Sequence, residues 1–368
     1  MGNICVTGSR ILQQVYSPDR EITLSPRGPS TPDGTPQASG DAKKNKSMRL
    51  QEKINDLKPY LRRARGSVKA YGQAAIDRAS GKKISVSFAD LDAAHLDAMV
   101  NIENRRNPGL NLIYFKDHNE FIQTLATDSP SSFRAIFPHI CPGTGQRVRH
   151  HVMADVRLNA GGRPSIVITE SADIARAPEH LHQHNLTLKD LRESGVPLSQ
   201  VAIIETLAQK TKDDCVMYSL SYAIKAHKNA KQFDEIHHGL QHGTLLAETQ
   251  SRPLTTLGAL QKNHTYPMLL DGAHVALGAD VLPVDFYKHA ASLTQAKELM
   301  KRPDGRLAGR VNSKAHSDAE NLVQRNQAFR VTRRVLLDDE STSNTRFSAS
   351  IDGFRLQEIK RILAAAQC

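Results

Sequence analysis

Tryptophan is absent from this chain of 368 residues, and aromatic residues of all kinds make up 5% of it. The four cysteines, Cys5, Cys141, Cys215 and Cys368, are too few and too scattered for a disulfide framework. A reducing cytosol is therefore the expected workplace. No apolar run of about 18 residues occurs, so no segment reads as a membrane-spanning helix. A secretory signal peptide, with a basic stretch followed by an apolar one, is not visible either. HExxH and CxxC are both missing, and no metal is expected. His180, His182 and His184 alternate, and His238 and His242 are four apart. Neither set has a supporting motif, and the first reads as part of a polar connection. Cys141 is followed by Pro142 with no helix start, and reads as structural or incidental.

What is present in excess is positive charge, +11 with a pI of about 9.5. No RNP, zinc-finger or helix-turn-helix signature accompanies it, so nucleic acid is not the expected partner. Hydrophobic residues are 39% of the chain, enough for a sizeable core, and the length allows two domains or one with a lid. Residues 1–45 form a separate leader. Between Ser17 and Gly40 the chain is dense in Pro, Gly, Ser, Asp and Thr, a composition that cannot bury enough apolar surface to order itself. Its first residues, Met1-Gly2-Asn3-Ile4-Cys5, match an N-myristoylation pattern at Gly2 with a palmitoylatable Cys5 beside it. The pattern wants Ser or Thr at position six, where this chain has Val6. One myristoyl chain binds membrane only marginally, so Cys5 or basic residues would have to help.

The chemistry is concentrated in four residues. HHVMADVRL alternates, with His150, Val152, Ala154, Val156 and Leu158 on one face. PSIVITE alternates too, with Pro164, Ile166, Ile168 and Glu170 on one face. Asn159-Ala160-Gly161-Gly162 supplies the turn between them. Folding about Ala160 sets Val152 against Ile168, Ala154 against Ile166, and His150 opposite Glu170. Directly paired side chains have Cβ atoms roughly 4.5–5.5 Å apart, near enough for a carboxylate to hold an imidazole. VAIIE, residues 201–205, then reads as a buried strand. CVMYSLSYAIKAHKNA reads as a helix with Met217, Leu220 and Ile224 on one stripe, and Asp213 or Asp214 is its N-cap. Cys215 falls in the first turn, where free N–H groups and the helix dipole favour a thiolate. Gln209, six residues earlier, can offer an amide to an oxyanion. A nucleophile, a base, a carboxylate and an oxyanion donor are the parts of acyl-thioenzyme chemistry. The acceptor, whether water or an amino acid side chain, is not written in them.

The order His, Glu, Gln, Cys resembles the YopJ family of type III secreted effectors, and within it the HopZ group of plant-pathogen effectors. LNLIYFKD, HHVMADVR, LSQVAIIE, DDCVMYSLSYAIKAHKNA, LPVDFYKH and FSASIDGFRLQEIKRIL carry the likeness, which covers roughly residues 45–368. The resemblance implies an α+β, papain-like Ulp-type cysteine protease fold that works as an acetyltransferase. His150, Glu170 and Cys215 would be its triad and Gln209 would line its oxyanion hole. It also implies a helical regulatory domain built from both ends, residues 46–120 and 301–368, around a catalytic domain at 121–300.

Further expectations follow from the same likeness. Inositol hexakisphosphate would activate the enzyme, bound by Arg49, Lys53, Arg106, Arg355 and Lys360, since a polyphosphate relieves the repulsion of clustered cations. Ser47 precedes a helix with Leu50, Ile54, Leu57 and Leu61 on its apolar stripe. Arg105 and Arg106 end a helix starting near Asp90. In the last helix Leu356, Ile359 and Leu363 form the buried stripe, with Lys360 and Arg361 off it. Arg325, Asn326 and Ser348 would contact the acetyl-CoA donor, and Lys288, in FYKH, would be an autoacetylation site. The acceptors would be Lys, Ser or Thr of host signalling or immune proteins. The protein would be secreted into a host cell and lie in its cytoplasm or, through Gly2, on its plasma membrane. The rival reading is a cysteine isopeptidase acting on ubiquitin-like conjugates with the same triad. A scaffold with a vestigial triad ranks last.

Overall fold

A computed structural model describes residues 47–82, 84, 86–126, 132–139, 150–158, 164–174, 178–211, 213–244, 272–311, 320–336 and 342–366. Gly2, Cys5 and Cys141 lie outside the described residues. Among the described residues, six strands form one mixed sheet in sequential order: β1 (Leu112–Tyr114), β2 (Phe133–His139), β3 (His150–Leu158), β4 (Pro164–Glu170), β5 (Val201–Glu205) and β6 (His274–Leu277). β2, β3 and β4 pair antiparallel, while β1 joins β2, and β5 and β6 follow β4, in parallel.

Alternation along these strands feeds two cores. Val152, Ala154, Val156, Ile166 and Ile168 point to one, with Phe121, Phe133 and Phe137. Ile136, Met153, Val167 and Ile204 point to the other. Helices α5 (His118–Ala126) and α6 (Pro178–Glu193) cover the first face, the latter through Leu188 and Leu191. The second is covered by α7 (Cys215–Lys228) and by helices from both ends of the folded chain. Twelve of the fourteen residues of α7 are buried, so its apolar stripe is widened to nearly the whole circumference.

The β3–β4 register differs from the expected one by two residues. Ala154 pairs with Ile168 and Val156 with Ile166, and the expected turn residues Asn159 to Gly162 lie outside the described residues. Pro164, which has no N–H, opens its strand opposite Leu158, a position that tolerates proline. A shift of two leaves every side chain on its expected face; a shift of one would have reversed them.

α1 (Met48–Arg63) begins at Ser47, whose hydroxyl accepts from the Leu50 N–H, and buries Leu50, Ile54, Leu57 and Leu61. α2 (Gly66–Ala79) follows it. The helix expected from Asp90 to Arg106 is two, α3 (Phe88–Ala94) and α4 (Leu96–Arg106), broken at His95. α8 (Ala230–His242) follows α7, and α9 (Gly278–Val281) and α10 (Leu293–Met300) follow β6. Next come α11 (Leu322–Ala328), the hairpin β7 (Arg330–Leu336) and β8 (Thr342–Ser348), and α12 (Ser350–Ala365). α12 packs on α1, α2, α4 and α7, which joins the two ends of the folded chain to the helix that begins at Cys215. β1, within the segment 46–120, lies at the edge of the central sheet beside β2.

Candidate active site

At one end of the sheet, on the face covered by α6, His150 begins β3 and Glu170 ends β4. Because of the shifted register the two are diagonal neighbours, and diagonal pairs remain within reach of long side chains. His150 Nε2 lies 2.8 Å from Glu170 Oε2, and both residues are buried. The backbone N–H of Ala172 donates to Glu170 Oε1 at 2.6 Å. Burial opposes a charge on the His150 ring, but the Glu170 carboxylate and a hydrogen bond with Cys215 outweigh it and raise its pKa to about 10. Burial likewise opposes the Glu170 charge, and His150 overcomes it, holding the carboxyl well below its usual range. With Nε2 committed to Glu170, the other ring nitrogen is left for Cys215. The structure thus brings His150, Glu170 and Cys215 together, from β3, β4 and the first residue of α7.

Asp214 occupies the N-cap position of α7, yet its side chain makes no capping bond. It accepts instead from Arg78 Nη2 at 2.9 Å, from Arg355 Nη2 at 2.5 Å and from the Thr211 hydroxyl. Arg355 is 1% exposed. Its remaining N–H groups go to Asp92 at 2.8 Å and to Asp352 at 2.6 Å. Arg333 donates to Asp352, and the Tyr71 hydroxyl to Asp92. Three arginines and three aspartates from α2, α3, α12, β7 and the turn before Cys215 thus close a charge-balanced, largely buried network. Arg355, expected on a polyphosphate, is spent inside the protein. Residue 355 reads as a surface cation in sequence because two of its three carboxylate partners, Asp92 and Asp214, lie on distant segments.

Gln209 is buried beside Ser171, which donates its hydroxyl to the Gln209 side-chain oxygen at 2.7 Å. One N–H of the Gln209 amide donates to the Thr211 carbonyl at 2.5 Å, which leaves the second amide hydrogen.

The residues that sequence reasoning missed are the histidines around Glu170. Residues 178–193 are a helix, not a connection. His180 and His184, one turn apart, share the face toward the site, while His182 is exposed. The His180 ring lies 4.0 Å from that of His150, and His184 Nε2 is 3.1 Å from Glu170 Oε2. His139, across from His150 on β2, packs edge-on to His184. The i, i+4 spacing on a segment ending in Leu188 and Leu191 was the available signal. His139, Glu170 and His184 each offer a ligand atom within 4.8 Å of the others, a two-histidine, one-carboxylate set of the type zinc accepts. The same Glu170 oxygen serves His150, so an ion there would compete with that contact. His238 and His242 stack on the exposed side of α8, apart from this site.

The expected cations divide. Lys53 and Lys360 line one groove between α1 and α12, together with Arg361, Asp56 and Gln357. Burial, and the nearby Arg325, Lys360 and Arg361, lower the Lys53 pKa. Arg49 pairs with Glu320, and Arg325 lies 3.5 Å from the same carboxylate. Arg106 and Arg361 converge on Glu103 at 2.5 and 3.0 Å. Asn326 and Ser348 are buried and hold the chain at Ala290–Ala291: Asn326 Nδ2 donates to the Ala290 carbonyl at 2.9 Å, and the Ser348 N–H to that of Ala291 at 2.9 Å. Arg325 lies over the Phe329 ring at 4.2 Å. Lys288 is half-buried, and burial with the nearby Arg325 and Lys228 brings its amine down to about 8.

Residues 50–361 match the family model of the YopJ serine/threonine acetyltransferases. The chain is 72% identical, over the full length of both, to the serine/threonine-protein acetyltransferase HopZ1a of Pseudomonas syringae pv. syringae. It is 30% identical over 213 residues to a serine/threonine-protein acetyltransferase of Sinorhizobium fredii (strain NBRC 101917 / NGR234), covering 56% of this chain and 79% of that one. The crystal structure of HopZ1a in complex with inositol hexakisphosphate and coenzyme A superposes with a TM-score of 0.81 at 74% identity, over 87% of this chain and all of that one. AvrA with the same two ligands, at 19% identity, superposes with a TM-score of 0.58 over 84% of this chain and 98% of that one, which shows the shared fold. The chain belongs to the YopJ family of serine/threonine acetyltransferases.

Proposed function

We propose that the protein is a secreted effector that moves acetyl from acetyl-CoA, through Cys215, to Ser, Thr or Lys of host proteins and of itself. The observation that carries this reading is the placement of His150, bonded on one side to Glu170 and on the other to Cys215, in a closed site. His150 takes the Cys215 proton, and Glu170 keeps the ring oriented and its positive form stable. The Cys215 sulfur attacks the thioester carbonyl of acetyl-CoA. The bond to the coenzyme sulfur breaks, the coenzyme leaves as the thiol with the His150 proton, and acetyl remains on Cys215. An acceptor hydroxyl or amine then gives its proton to His150 and attacks the acetyl-cysteine, releasing the thiolate. The free N–H of the Gln209 amide serves the tetrahedral oxyanion in both steps.

The remaining site residues fit the same reading. Arg325 supplies a cation for the coenzyme phosphates, while Asn326 and Ser348 shape the wall beside it. The amine of Lys288, at about 8, is partly neutral near physiological pH and so can accept acetyl. Arg49, Lys53, Lys360 and Arg361, with Arg106 at one end, suit inositol hexakisphosphate as activator, because they crowd positive charge that phosphate would neutralise. Arg355 does not belong to that set. Acylation at Gly2, with Cys5 as a second anchor, would carry the protein to the host plasma membrane.

The test uses purified full-length protein with labelled acetyl-CoA, with and without inositol hexakisphosphate. Label on the protein, increased by the polyphosphate and lost in Cys215→Ala, is expected. No label in either condition, with cleavage of a ubiquitin-like probe, would establish an isopeptidase instead. Gly2→Ala should release the protein from host membranes, and unchanged membrane association would refute the anchor.

A further inference from the structure

We propose that His184 is a positioning residue for the transfer reaction: its Nε2–H, donated to Glu170 Oε2 beside that of His150, locks the carboxylate in the orientation that holds the His150 ring. The role rests on the acyl-transfer reading of His150 and Cys215.

Among the described residues, three donors converge on the Glu170 carboxylate. Ala172 N–H takes Oε1 at 2.6 Å, and His150 and His184 take Oε2 at 2.8 and 3.1 Å. The terminal torsion of a glutamate is soft and roughly two-fold, so a carboxylate held by His150 alone can turn. A backbone donor on one oxygen and a second imidazole on the other remove that freedom. Two donors on Oε2 also match its two lone pairs.

His184 is built for this task and not merely packed there. It is 3% exposed, and its Nδ1 has no hydrogen-bond partner among the described residues. A bare lone pair at that position is tolerable, whereas an orphaned buried N–H is costly, so the proton belongs on Nε2, facing Glu170. The same helix face places His180 against the His150 ring at 4.0 Å. α6 therefore grips both members of the pair from one side: His180 covers the imidazole, and His184 fixes its carboxylate. The ionisable groups around this contact are His139 on β2, His150 on β3, Glu170 on β4, His180 on α6 and Cys215 on α7, with His118 of α5 beyond His139.

The test compares His184→Phe, which keeps a ring against His139 but has no donor, with His184→Gln, whose amide N–H can reach the same oxygen. His184→Phe should lower kcat by about tenfold or more, the usual cost of losing a hydrogen bond that orients a functional side chain, with KM for acetyl-CoA unchanged. His184→Gln should recover most of that loss. The pH dependence of Cys215 alkylation by iodoacetamide gives a second readout that needs no acetyl transfer. In His184→Phe its upper limb, set by His150, should move to lower pH, because a turning carboxylate holds the imidazolium less firmly. Equal losses in both variants with an unmoved pH profile and a lower melting temperature would reduce His184 to packing and overturn the proposal. Wild-type kinetics in both would overturn it as well. If His184→Phe does not fold, His184→Leu replaces it. Absence of acetyl label in the wild type, with the alkylation shift still present, would remove the transfer reading and leave the positioning role standing.

Discussion

Arg355 donates to Asp214 at 2.5 Å across 141 residues of sequence, and Asp214 immediately precedes Cys215. Helix α12 thereby grips the turn that presents Cys215. The pair sits among Arg78, Arg333, Asp92 and Asp352, where each charge is answered by its opposite.

Removing one member of this network strands a buried charge. Arg355→Met should cost about 3–5 kcal/mol of stability, the usual result of breaking a buried ion pair from one side. Arg355→Lys should recover little, since one ammonium cannot serve three carboxylates in fixed directions. Urea unfolding of the two variants measures both effects, and activity should fall with them because the N-cap of α7 loses its support.

The His150–Glu170 pair predicts a pH window for stability. The folded pKa of His150, about 10, lies above its ordinary value of 6.5, so its contribution is full below about 6.5 and is lost as pH rises toward 10. The folded pKa of Glu170 lies well below 4.5, so its contribution is full above about 4.5 and is lost as pH falls through the folded value. The deficit of Glu170→Gln relative to wild type should be greatest between about pH 4.5 and 6.5 and shrink toward pH 10. Urea midpoints across pH 4–10 measure it.

Lys225 lies on α7 with its amine 3.4 Å from the Phe286 carbonyl, and burial brings its pKa from 10.5 down to about 7. An unfolded lysine keeps its proton up to about 10.5, so the native state is penalised below that pH, fully so below about 7. Lys225→Met, similar in volume and uncharged, should raise the melting temperature at pH 7, with the gain disappearing above about pH 10.5. Thermal unfolding at pH 7 and 10.5 distinguishes this from a simple packing change.

The groove between α1 and α12 predicts graded polyphosphate binding. Each charge-assisted contact is worth about 1.5–3 kcal/mol, roughly tenfold or more in affinity. Lys53→Ala and Lys360→Ala should each weaken inositol hexakisphosphate binding by about that factor in calorimetry. The wild-type affinity should fall steeply as salt is raised. A Lys360→Ala affinity equal to wild type would move the site elsewhere.

Several features were legible in the sequence because they are local. Alternation in residues 150–158 and 164–170 determined two strands and the face carrying His150 and Glu170. Ser47, followed by apolar residues at helical spacing, determined the start and buried side of α1. The acidic pair ahead of an apolar-periodic segment placed Cys215 at a helix start. These follow from backbone geometry, which acts over a few residues and leaves its period in the chain.

Tertiary structure decided what depends on partners far away in sequence. It set the β3–β4 register, because a shift of two preserves both faces and the pattern cannot choose between them. It buried Arg355, since the aspartates that neutralise it come from α3, the Cys215 turn and α12 itself. It turned His180 and His184 from polar connection residues into the covering of the His150–Glu170 pair. The physical reason is the same in each case: a charged or polar side chain can be buried only when its hydrogen-bond partners are assembled around it, and that assembly exists only in the folded chain.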